Sequence, residues 1–209
     1  MTDLNSRLHA MADEYEIMRV RRIWAYSRDH ADWETLASCF HPDATVTISW
    51  YSGTALGFIE RSKDAAASRK PVERSAHWIG NGRATVNLNR AVLEMDVQIL
   101  SRDYLDGLLF DCVCYARFYD LFEKRNGEWR ISRWDCIYDK DRLDPVTPGA
   151  VPAAFYNGLR LNDENNSCAF MRLRQGKKGR QVPTGLIMGG SEGEKRLKAQ
   201  GKAWLAAAS

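Results

Sequence analysis

The segment RSAHWIGNG, residues 74–82, places a histidine, His77, just ahead of a long strand-like run. An imidazole with an ordinary pKa of about 6.5 is neutral at physiological pH and can act as a general base if a partner orients it. A carboxylate does so by accepting a hydrogen bond from one ring nitrogen, leaving the other as proton acceptor, and by stabilising the imidazolium that forms. Asp29 is the carboxylate that stands out. It closes the first helical pattern, on the stripe Tyr15, Met18, Arg22, Tyr26. Taken singly, both residues have plainer readings: an Asp near a helix end is ordinarily solvated, and a lone His on an apolar strand is ordinarily a satisfied core residue. Composition and periodicity permit the pairing without forcing it.

Such a pair in a dry pocket could remove a proton and return it to a leaving group. Loss of hydroxide or halide would make the reaction a dehydration or dehydrohalogenation, and return of the proton at another carbon an isomerisation. Removal from a hydroxyl followed by carbon–carbon cleavage would be a retro-aldol release of an aldehyde. Candidate helpers are Arg133, which shares strand parity with Trp129 and Ile131 and is otherwise an exposed strand arginine, and the phenols Tyr26 and Tyr51. Trp24, Trp50, Trp78 and Trp134 could form an apolar wall for a ring, although each alone reads as plain core.

The elements that must position these residues are legible as patterns. Asp13 to about His30 is helical, and Asp32 is an N-cap for a short helix over Trp33 to Phe40. HPDA ends that helix at Pro42, ATVTISWY reads as the first strand, and FIERSKDAAAS, residues 58–68, as a further helix. From Ala76 the period becomes two, through ATVNL, AVLEMDVQIL, LLFDCVCYARFYDLFEK and EWRISRWDCIYD. These runs are joined by Asn89-Arg90, by RDYLDG and by RNGE, whose Asn-Gly is a hairpin signal. Helices first and a meander after them predict an α+β domain over residues 1–141. Residues 142–209 read as a Pro/Gly-rich basic extension, loop-like and draped on the core or on a neighbouring subunit. It ends in a helix from Glu192 to about Ala207, with Ser191 and Glu194 as capping box and Leu197, Trp204 and Leu205 as apolar face.

Composition narrows the classes. The chain has 209 residues, 44% of them hydrophobic, and a net charge of +3, too small to signal nucleic acid. Nine Lys/Arg and two acids lie between Arg172 and Lys202, a distribution that reads as a solvated face because no aromatics are interleaved. No apolar run approaches the ~20 residues of a membrane helix, and the N-terminus lacks the basic and apolar regions of a signal peptide. Cys39, Cys112, Cys114, Cys136 and Cys168 have no CxxC spacing, which argues against disulfides and suits a reducing cytoplasm. His9, His30, His41 and His77 lack metal-ligand spacing, and no Walker or GxGxxG motif is present, so neither metal nor cofactor is expected.

YSRDHADWETLASCFHPDATVTI followed by SAHWIGNG, with RNGEWRISRWD near the end of the sheet, resembles the SnoaL-like branch of the nuclear-transport-factor-2-like superfamily. The similarity spans about residues 10 to 140. It implies a cone-shaped barrel, a curved antiparallel or mixed sheet wrapped over the N-terminal helices, with a pocket open at one end. It also implies that Asp29 and His77 form a catalytic dyad, as the equivalent pair does in the dehydrochlorinases and dehydratases of this superfamily; the long C-terminal extension resembles that of the superfamily's lyases that release formaldehyde from lignin-derived diaryl compounds. One turn before the dyad Asp, where such relatives carry a lysine or a tyrosine, this chain has Trp24, so their substrate-polarising group is not carried over. The expected function is a cofactor-independent lyase acting on a hydrophobic, hydroxylated aromatic, by retro-aldol deformylation or dehydration. The alternative is a non-catalytic β subunit of a ring-hydroxylating dioxygenase. The resemblance further implies a homodimer or homotrimer.

Overall fold

The computed structural model describes residues 3–157, 159 and 166–208. Helix α1, Leu4–His30, starts nine residues before the expected Asp13, because Asp3 caps it by accepting from the Asn5 and Ser6 amides. The added turns carry Leu4, Leu8 and Met11 on an exposed stripe, so they contribute no core pattern from which a helix could be read. Ala31, in the left-handed region at φ 61°, ends α1, and Asp32 caps α2, Trp33–Ser38, by accepting from the Thr35 amide. Strand β1, Phe40–Ile48, begins before Pro42 rather than after it. Its pairing with the sheet is irregular between Phe40 and Thr45, where a residue without an N–H is tolerated. β2, Tyr51–Thr54, leads into α3, Ala55–Ala67, which Thr54 caps.

Four long strands follow: β3 Arg74–Asn87, β4 Arg90–Leu105, β5 Leu108–Arg125 and β6 Glu128–Pro145. RDYLDG is not a loop. β4 runs on through Leu105, and the turn is Asp106-Gly107 alone, at φ 49° and 80°, matching Asn126-Gly127 at 53° and 83°. Two successive left-handed residues give the twist that a two-residue hairpin needs. The seven strands form one mixed sheet in the order β2-β1-β6-β5-β4-β3, with β1 parallel to β6 and β7, Ile187–Met188, also on β6. The sheet is curved but does not close: β2 and β3 remain its two edges. The expected barrel is therefore an open, curved sheet around the helices.

The extension is less loop-like than expected. It contains α4, Ala169–Lys177, and α5, Glu192–Ala206. α4 escaped notice because AFMRLRQGK is short, basic and has no side-chain cap. α5 covers the outer face of the sheet, where Leu197 packs with Tyr119, Leu121 and Ile137, and Trp204 lies against them. The approach is close. A Cβ on Gly201 would come within 2.2 Å of the Tyr119 hydroxyl, so any larger residue would force the tyrosine ring or the helix to shift.

Glu194 holds α5 down. Its carboxylate accepts from Arg117 at 2.5 Å, Lys198 at 2.8 Å and the Gly190 amide at 2.7 Å. The Arg117 hydrogen bond, against the opposing effect of burial, pulls its pKa to about 2 from an ordinary 4.5. A depressed carboxylate stabilises the fold above its ordinary pKa and loses that contribution as pH falls toward the folded value. Hydrogen exchange in α5, corrected for intrinsic rates, should therefore accelerate as pH drops from about 4.5 toward 2. Glu194→Gln should produce the same loosening at neutral pH, and unchanged protection in that variant would refute the assignment.

Candidate active site

β3 is an edge strand, paired only with β4, so amides on its free side need another acceptor. Asp29, in the last turn of α1, supplies one: the His77 amide donates to its Oδ2 at 2.7 Å. His77 Nδ1–H donates to Oδ1 of the same carboxylate, also at 2.7 Å. The strand edge and the imidazole are thus held by one side chain, and Nε2 is left as the ring's acceptor. Both side chains are nearly buried, at 11% and 14% exposure. Burial draws the His77 pKa below its ordinary value, Asp29 works to raise it, and Arg28 and Arg21 lower it again. The net direction is downward, so the ring is a neutral base at physiological pH.

His77 faces a cavity of about 70 Å³ between the concave side of the sheet, α1 and α3. By this measure it exceeds the roughly 10–15 Å³ that one water requires, so it is a cavity rather than a packing defect. Its wall is aromatic. The Trp24 ring lies 5.1 Å from His77 edge-on, 5.3 Å from Phe118 and 4.8 Å from Trp134. Beneath these rings Arg21 makes a buried bidentate pair with Asp120, at 2.6 and 2.9 Å, and its guanidinium carbon is 4.2–4.5 Å from the centroids of Trp24, Phe118 and Trp134. Burial pushes the Asp120 carboxyl up to about 6, and Arg21 opposes that shift.

α4 roofs this cavity with Met171, Arg174 and Gln175, followed by Lys178 and Arg180. Arg174 and Lys178 bind Asp103 at 2.6 and 2.5 Å, Lys178 reaches Glu73 at 3.2 Å, and Lys177 pairs with Asp106. Asp141 accepts from the Met171 amide at 2.5 Å at the start of α4, and burial raises its carboxyl to about 6. The basic stretch read as a solvated face therefore turns three of its cations into the cavity.

Of the expected wall residues, Trp24, Trp50 and Trp134 line the cavity. Trp78, next to His77 on an alternating strand, points to the opposite side and is 68% exposed. Tyr26 is 66% exposed and stacks on His30 at 4.1 Å, away from the cavity. Tyr51 packs beside Trp50 and Phe58 but spends its hydroxyl on the Thr54 carbonyl at 2.8 Å and does not line the cavity. Arg133 is also displaced. Leu121 pairs with Arg133 but Phe122 with Ile131, so Ser132 is an extra residue that reverses parity along β6. Trp134, Cys136 and Tyr138 consequently face inward, and Arg133 lies outside, bonded to Asp135 at 2.6 Å.

Sequence reasoning passed over Arg28, Arg69, Arg74, Asp103, Tyr138 and the α4 residues, none of which carries a local motif. Tyr138 is fully buried in the cavity wall, accepts from the Ser49 amide at 2.6 Å, and has its pKa raised by burial. Among the described residues, no three His, Cys, Asp or Glu side chains gather as a metal would require. No helix there is long and apolar enough to cross a membrane.

A family model described as a SnoaL-like domain matches residues 9–135, which include Asp29 and His77. The chain belongs to the SnoaL-like family. This SnoaL-like chain is 30% identical over 151 residues to an uncharacterised protein of Emericella nidulans, covering 69% of the chain and 63% of that protein. It is 31% identical over 134 residues to pea pathogenicity protein 2 of Fusarium vanettenii, covering 62% of the chain and 55% of that protein. It thus spans little more than half the length of these curated relatives. Among solved structures it is similar to a provisionally named scytalone dehydratase from Novosphingobium aromaticivorans, with TM-score 0.55 and 17% identity, over 72% of the chain and all of that protein. It is equally similar to LinA, with TM-score 0.55 and 21% identity, over 70% of the chain and 99% of LinA. These likenesses establish the fold of the SnoaL-like chain, with its curved, open sheet over N-terminal helices.

Proposed function

We propose that this protein is a lyase in which His77, oriented by Asp29, moves a proton on a hydroxylated aromatic small molecule. The observation that carries the reading is the pair itself: both Asp29 oxygens are engaged by His77, and the ring faces an aromatic-lined cavity. In a dehydration, Nε2 removes a proton from carbon, the carbon–carbon double bond forms, and the departing hydroxide takes the proton back from the imidazolium as water. In a retro-aldol cleavage, Nε2 removes the hydroxyl proton, the adjacent carbon–carbon bond breaks to release an aldehyde, and the imidazolium protonates the resulting carbanion. The names dehydratase and hexachlorocyclohexane dehydrochlorinase among structural relatives support elimination chemistry on this scaffold. The five free, buried cysteines accord with a reducing cytoplasm as its setting.

The test is a mass-spectrometric product screen of hydroxylated aromatics and diaryl propanoids with wild type, Asp29→Asn and His77→Ala. Loss of water or formaldehyde with wild type alone supports the dyad and names the reaction. Equal turnover by all three proteins refutes it. Silence with every compound, together with co-purification of an oxygenase α subunit, would favour a structural subunit instead.

A further inference from the structure

Six cations line the cavity, and three of them are already engaged: Arg174 and Lys178 by Asp103 and Glu73, and Arg74 by the carbonyls of Pro71 and Glu73 at 2.6 and 2.7 Å. Arg28, Arg69 and Arg180 are different. They come from α1, from the end of α3 and from the turn after α4, and among the described residues none of them forms an ion pair with a carboxylate. Arg28, only 7% exposed, has the Trp33 ring at 5.8 Å; Arg180 has the Gln175 amide oxygen at 2.9 Å and the Trp50 ring at 5.2 Å. Asp29, beside Arg28 in sequence, has both oxygens committed to His77.

The three guanidiniums are close enough to act on one another. Burial pulls Arg28 down to about 10, Arg69 and Arg180 lower it further, and Asp29 offsets part of that shift. Arg180 is likewise drawn to about 10, by burial and then by Arg174 and Arg69, against the opposing pull of Asp103 and Glu73. Arg28 is buried and Arg69 and Arg180 are half-buried, and the nearby carboxylates balance their charge only in part; such charge is costly unless something else completes the balance. That something shares the cavity with His77.

We propose that Arg28, Arg69 and Arg180 form a carboxylate-binding subsite, so that the substrate is an aromatic acid whose ring packs against Trp50 and Trp134 and whose reacting carbon lies toward His77. A guanidinium's fork matches a carboxylate in geometry as well as charge. The position of the reacting carbon rests on the lyase reading above; the binding subsite does not.

Titration calorimetry with cinnamate and its neutral isostere cinnamamide separates the two. Cinnamate should bind at least about tenfold more tightly than cinnamamide, as charge-assisted hydrogen bonds warrant, and the preference should shrink with added salt. Arg28→Met, Arg69→Met and Arg180→Met should each reduce the preference, and the triple variant should abolish it. Arg28→Met should also raise the Tm of the free protein, because a buried and only partly compensated charge is gone; this readout shows that the variant folds. His77→Ala should keep the preference while losing turnover, so undiminished turnover in that variant with intact selectivity would sink the lyase reading alone. Equal binding of acid and amide, no binding of cinnamate at millimolar concentration, or a preference surviving in the triple variant would overturn the subsite. Displacement of cinnamate by micromolar inorganic phosphate would overturn the carboxylate assignment in favour of a phosphate ester.

Discussion

His77→Ala is expected to lower turnover by about 10²–10⁴-fold, the range that a positioned general base supplies. The substitution removes the proton acceptor and leaves the aromatic wall in place, so the loss should fall on kcat with KM little changed. Asp29→Asn is the more informative variant. An asparagine oxygen can still accept from Nδ1–H, but its amide group then opposes the His77 backbone N–H, donor against donor, where Oδ2 now accepts at 2.7 Å. It also no longer stabilises the imidazolium. The pH profile gives the sign. In the wild type, burial holds the His77 pKa below its ordinary 6.5, so activity should rise with pH through a value under 6.5 and then level off. Asp29 is the group that pushes this pKa upward, so its loss should move the acid limb to lower pH beneath a lower plateau. A limb that stays in place or moves upward in Asp29→Asn would mean that His77 is not the titrating base.

The largest effect on stability should come from the ion pair under the aromatic rings. Asp120→Ala leaves the fully buried Arg21 charge without its partner, and breaking a buried pair in this way costs about 3–5 kcal/mol. For a chain of this size that corresponds to a fall in Tm of roughly 6–20 °C. The ring faces around Arg21 return only part of that, since a desolvated cation–π contact contributes about 2 kcal/mol. Replacing both partners, as in Arg21→Met with Asp120→Leu, should recover most of the loss because no charge remains to be compensated. Urea unfolding of the single and double variants measures this. A single variant within 1 kcal/mol of wild type would show that water or a rearranged carboxylate reaches Arg21.

Local chemistry was legible in the sequence wherever it was written locally. Asp32 and Ser191 announced their caps, and Asn126-Gly127 its hairpin, because each signal lies within a few residues of the group it satisfies. The pairing of Asp29 with His77 spans 48 residues and was expected only from resemblance to a family; periodicity had no means of bringing an edge-strand amide to a helix end. Arg133 shows a different limit. Its parity with Trp129 and Ile131 was read correctly, yet the extra residue at Ser132 reverses the faces beyond it, and a bulge of this kind leaves no mark in alternation alone. The cations of the α4 region were hardest to place. Whether Arg174, Lys178 and Arg180 meet water or a cavity depends on where that segment docks, and the docking is fixed by Asp103, Glu73 and Asp141 from β4, the α3–β3 connection and β6.

The roof of the cavity lies outside the stretch that identifies the family, which ends at residue 135. The proposed proton relay and all of the aromatic wall but Tyr138 lie within that stretch, whereas Arg174, Lys178 and Arg180 arrive on a separate strap of chain held by a few ion pairs. Reaction and recognition can then diverge at different rates. A lineage could exchange its strap, and with it the molecules it admits, while the residues that move the proton stay untouched.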